Sequence, residues 1–106
     1  MTVMMKLIIS LLASLTATVA MAQEINVSGT VIDYSNGEPV PYASVHLEGT
    51  MTGTSTDGDG NYSIRLPHGG NLVFSSIGYI TVKEAVNTSM VLNIVLEPDT
   101  EHLEET

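Results

Sequence analysis

The stretch TSTDGDGNYSI, residues 54–64, sets Asp57, Asp59 and Asn61 at alternate positions. Side-chain oxygens at positions one, three and five are how a calcium-binding loop opens, because Ca²⁺ collects oxygen ligands. Such a loop also needs a glycine at position six and a bidentate glutamate at position twelve. Counted from Asp57, those places hold Tyr62 and His68. Helical patterning flanks neither side. The turn chemistry fits better. Asp57-Gly58-Asp59-Gly60 suits a type I turn with Asp first and Gly last. The Asp57 carboxylate can accept from backbone N–H groups two residues on, and Gly60 can adopt the left-handed conformation that closes a bulged hairpin. The stretch is therefore predicted to be a hairpin turn, with no metal and no cofactor.

Other chemistries have less to stand on. His46, His68 and His102 do not pair at a zinc-ligand spacing. No G-x-S-x-G nucleophile elbow and no phosphate-cradling glycine loop occurs. Three N-x-S/T matches, at Asn26, Asn61 and Asn87, matter only in a host that glycosylates such sequons. Tyr79 could stack on a sugar, but the chain has no Trp and one Phe to build a platform with it. The structural reading is that Gly78 bends the chain and Tyr79 packs at the end of the fold, its hydroxyl bonded to backbone.

The elements that would hold these residues begin after a leader. Lys6 supplies a short positive start, residues 7–19 are an uncharged apolar run, and Ala20-Met21-Ala22 gives a small-x-small cleavage pattern. Residues 1–22 are predicted to be a signal peptide; the run is shorter than the ~20 residues of a membrane span. The chain contains no cysteine, which excludes disulfides and a lipid-anchored cysteine. Removal of Lys6 takes the formal net charge from −9 to −10. An acidic surface of that size disfavours nucleic acid and anionic lipid as partners.

Beyond the leader, short alternating runs are separated by turn residues every eight to twelve positions or so, the pattern of an all-β sandwich. Residues 25–33 place Ile25, Val27, Gly29 and Val31 on one face. Asn36-Gly37, Pro39 and Pro41 then form a break. Ala43, Val45 and Leu47 face inward in the next strand, and Tyr62, Ile64 and Leu66 in a later one. Residues 72–77 are more continuously apolar, as for a central strand, and residues 90–96, apolar on nearly both faces, are expected to be covered on both sides. About seven strands without crossover helices imply a Greek-key sandwich. The compact domain is expected to span 23–97, with 98–106 an acidic, solvated tail.

In order, G-x-V-x-D (Gly29 to Asp33), G-x-P-x-P-x-A-x-V (Gly37, Pro39 onward), T-D-x-x-G-x-Y (Asp57, Gly60) and S-x-I-G-Y (Gly78, Tyr79) resemble the carboxypeptidase-regulatory-like, transthyretin-like β-sandwich domain. The set is most similar to the copy at the N-terminus of SusC-like TonB-linked outer-membrane transporters of Bacteroidetes. The resemblance implies a periplasmic module ahead of a TonB box, plug and barrel, with TonB and a SusD-like surface lipoprotein as partners of the whole receptor. Leu103-Glu104-Glu105 matches the opening of a TonB box, and Thr106 stands where its first valine would be. The resemblance thus implies a non-catalytic accessory domain for glycan or peptide uptake, present as a fragment unable to transport alone. The alternative expectation is a free-standing exported sandwich that binds carbohydrate or a protein partner. Hydrolases of the transthyretin-like class carry a His/Arg/His site and a Tyr-Arg-Gly-Ser ending that this sequence lacks.

Overall fold

A computed structural model describes residues 24–100. The leader and the Leu103-Glu104-Glu105 segment lie outside the described residues. Eight strands are present: β1 Ile25–Asp33, β2 Ser44–Leu47, β3 Gly53–Ser55, β4 Asn61–Leu66, β5 Gly70–Ser75, β6 Val82–Val86, β7 Met90–Val91 and β8 Ile94–Leu96. The first sheet runs β4-β1-β7, with β8 also on β1; the second runs β3-β2-β5-β6. The all-β sandwich expected from the alternation is what the chain forms.

The inward sets follow the alternation. Val27, Val31, Val45, Leu47, Leu66, Leu72, Phe74 and Leu96 are fully buried in one core. Tyr62 of the first sheet meets Phe74 of the second edge-on, with ring centroids 5.4 Å apart and planes at 72°. Such a pair adds about 0.5–1.5 kcal/mol beyond the area it buries. The apolar run of β5 explains its place: it is central in its sheet, between β2 and β6.

Several features differ from the sequence expectation. The last strand is split. β7 and β8 both pair parallel with β1 in one register, Val27↔Met90 and Val31↔Ile94, but Leu92 and Asn93 leave the ladder between them. Residues 90–96 are also not covered on both sides: Val91 is 70% exposed and Val95 45%. Val91 and Val95 point to the outer face of the sheet, whereas Ile94 and Leu96 point into the core between the two sheets.

The stretch 56–60 is not a hairpin. β3 pairs with β2 and β4 with β1, so these residues carry the chain from one sheet to the other. Thr56 makes the crossing possible. Its side chain is buried, donating to the Val40 carbonyl at 2.7 Å and accepting from Ala43 N–H at 2.8 Å. A buried hydroxyl with both roles filled carries no desolvation debt.

Ladder-type bonding also runs past Glu97. Pro98 bridges Tyr79, and Asp99 N–H donates to the Gly78 carbonyl at 2.9 Å. Pro39, read from sequence as a break, bridges Ile32 in an isolated pair.

Candidate functional site

The Asp57 turn is a closed backbone device. Asp57 Oδ1 accepts from Asp59 N–H at 2.9 Å and from Asn61 N–H at 3.0 Å. Gly60 N–H donates to the Asp57 carbonyl at 3.0 Å, and Asp57 N–H to the Asn61 carbonyl at 2.9 Å. Gly60 has φ +77° and sits so close to its neighbours that a Cβ would lie 2.7 Å from the Val31 oxygen and 2.9 Å from Pro39 Cβ. Its own carbonyl accepts from Val31 N–H at 2.8 Å, which ties the crossing to β1. An Asp57 oxygen engaged by two amides is oriented towards its own backbone, as a turn requires. Among the described residues no group of three or more His, Asp or Glu could hold a metal ion.

A second polar cluster lies where β1 ends. Asp33 is buried. Its Oδ1 accepts from Ser35 N–H at 2.7 Å and from Ser35 Oγ at 2.5 Å. Its Oδ2 accepts from the Tyr79 hydroxyl at 2.6 Å. The Tyr79 hydroxyl therefore bonds a carboxylate, not the backbone expected from sequence. The ring does pack against the core. Donation from the Ser35 hydroxyl, then from Tyr79, holds the Asp33 carboxyl below its usual value, because these bonds favour the charged form. The same bond raises Tyr79, whose ionisation would break it. Gly78 has φ +88° at the third place of the turn closed by Tyr79 N–H to the Ser76 carbonyl at 3.1 Å. Gly37 has φ +71° in the Asp33 turn, where its N–H donates to the Asp33 carbonyl at 2.8 Å.

Gly29 has a different reason. A Cβ there would fall 2.0 Å from the Leu92 carbonyl oxygen. That oxygen accepts from the buried Tyr62 hydroxyl at 2.6 Å, and Leu92 N–H donates to the Ser28 carbonyl at 2.8 Å. Asn93 Oδ1 accepts from Thr30 N–H at 3.0 Å, standing in for the ladder carbonyl. The gap between β7 and β8 is thus filled by Gly29, Tyr62 and Asn93 acting together. Burial pushes Tyr62 up to about 12. Sequence reasoning placed Gly29 on the inner face but found neither the Leu92 contact nor the roles of Thr56 and Asn93. No local spacing announces a contact between residues so far apart in the chain.

The histidines stay apart: His46 is half-buried in β2 and His68 lies in an exposed turn. His102 lies outside the described residues. The two cations of the described residues are paired at the surface, Arg65 with Glu24 at 3.4 Å and Lys83 with Glu48 at 2.5 Å. The Lys83 bond is the main cause of a lowered Glu48. The exposed side chains of Tyr34, Ile80 and Val95, with Val82 and Glu97, line a shallow apolar groove over the seam between β8 and the start of β6.

Fold and turn signature together define a β-sandwich module of the regulatory-like kind. The chain belongs to the CarboxypepD_reg-like domain family, whose model matches residues 27–106. It is 42% identical over 103 residues to the TonB-dependent receptor SusC of Bacteroides thetaiotaomicron, covering 96% of this chain and 10% of that protein. It is 38% identical over 85 residues to the TonB-dependent receptor P3 of Formosa agariphila, covering 79% of this chain and 8% of the receptor. The chain therefore spans about a tenth of the length of the curated relatives it matches. Solved structures share the fold alone. One is the type II cohesin–X–dockerin complex of Acetivibrio cellulolyticus, with TM-score 0.56 and 19% identity over 70% of this chain and 58% of that one. Another is 3-chlorocatechol 1,2-dioxygenase of Rhodococcus opacus, with TM-score 0.52 and 11% identity over 74% of this chain and 60% of that one.

Proposed function

We propose that this chain is a non-catalytic, periplasmic accessory domain of a TonB-dependent, SusC-like outer-membrane receptor for glycans or peptides. The observation that carries the reading is the 42% identity to such a receptor across 96% of the chain. Two features support it. The polar side chains at the two clusters are committed to holding turns. The relatives continue far beyond the region they share with this chain. In this reading TonB and a SusD-like lipoprotein act on the rest of the receptor, and the sandwich neither moves nor cleaves the nutrient. Residues 103–105 then open a TonB box, and residues 1–22 direct export.

The coding sequence beyond Thr106 tests the reading. Continuation into a valine-rich TonB box, a plug and a barrel is the expected result. A stop codon after Thr106 with no receptor gene beside it would overturn it. Fractionation adds a second measurement: an antibody to residues 24–100 should label the outer-membrane fraction, on the periplasmic side.

A further inference from the structure

The buried carboxylate at the end of β1 reaches, through Tyr79, the residues that follow β8. Tyr79, whose hydroxyl is bonded to Asp33, bridges Pro98. The residues on either side of Tyr79 complete the contact. Ile80 N–H donates to the Glu97 carbonyl and Asp99 N–H to the Gly78 carbonyl, both at 2.9 Å. From the other flank, Tyr34 N–H donates to the Leu96 carbonyl at 2.9 Å. Asp33 itself is held by Ser35 through two hydrogen bonds. Residues 97–99 thus lie against a loop that the Tyr79 hydroxyl ties to the Asp33 carboxylate, beside the packing of the Tyr79 ring and the Tyr79 N–H bond to the Ser76 carbonyl. Only Ile80 and Asp99 among these backbone donors reach across between the loop and residues 97–99, and neither belongs to a named strand.

We infer that Asp33, Ser35 and Tyr79 form a clamp. It holds residues 97–99 against the 76–80 loop and opens independently of the two sheets. Tyr79 and Ser35 are positioning residues: they act through Asp33 and the 76–79 turn on backbone bonds that neither side chain makes. The inference stands whether or not a receptor follows.

Amide hydrogen exchange tests it on residues 24–106, which carry every core residue described above. Sub-global opening exposes its own amides and leaves the rest protected, whereas global unfolding exposes all of them. In Tyr79→Phe, the Ile80 and Asp99 amides are expected to exchange roughly tenfold faster or more. The Val31 and Leu92 amides, bonded to Gly60 and Ser28, should keep their protection. Ser35→Ala, which leaves Tyr79 intact, should give the same pattern to a smaller extent. Tyr62→Phe removes a hydroxyl bonded to the Leu92 carbonyl and should leave Ile80 and Asp99 unchanged. Equal acceleration of all four amides in both clamp variants would overturn the inference, as would unaltered exchange at Ile80 and Asp99.

Discussion

Asp57 and Asp33 show how alike two turn carboxylates look in sequence and how differently they act. Asp57 is exposed and serves its own loop. Its replacement by Ala should cost about 0.5–2 kcal/mol, the range for lost side-chain-to-backbone caps; urea denaturation measures it, and an unchanged midpoint would contradict the geometry. Asp33 is buried and links distant segments. Its folded value lies below 3.8, so the stabilisation it supplies is complete above that pH and is lost as pH falls through the folded value. Asp33→Asn should therefore flatten the acid limb of a stability profile taken between about pH 5 and 2. At the alkaline end Tyr79 is raised above 10, so its contribution is present below that pH and fades above it. The Asp57 turn was legible because its signals sit within five residues or so. The partner of Asp33 was not: Ser35 is local, but Tyr79 is 46 positions away.

Strand identity was legible wherever one face is buried and the other wet, as in β4, where buried and exposed residues alternate throughout. Pairing was not. Nothing in residues 53–66 says that β3 and β4 belong to different sheets, because the turn chemistry of 57–60 serves a crossing as well as a hairpin. The difference lies in Thr56, whose inward hydroxyl only the fold explains. At the end of the domain, charge density makes residues 98–106 read as a solvated tail, while the backbone of Pro98 and Asp99 meets the Gly78 loop. Ending the chain at Glu97 should accordingly cost about 1 kcal/mol, near the net worth of a hydrogen bond or two. A chemical-denaturation comparison with the chain ending at Thr106 measures it, and equal stability would restore the solvated-tail expectation.

For the molecule as a whole, calcium offers a direct check. A ligand that binds only the native state raises its melting temperature. Millimolar Ca²⁺ should leave the transition of residues 24–106 in place, and a rise of several degrees would reopen the metal reading of Asp57, Asp59 and Asn61. The split parallel pairing of β1 has a temporal meaning as well. β1 is the first strand of the sandwich to be synthesised, yet its partners β7 and β8 come last in the chain. Side chains fasten the same junction, with Asn26 N–H on Ser89 Oγ and Thr30 N–H on Asn93 Oδ1, each 63 residues apart. Contacts that close so long a loop form late and slowly. One edge of β1 therefore stays unpaired until nearly the whole domain has been synthesised, so the first strand to appear is among the last to be completed.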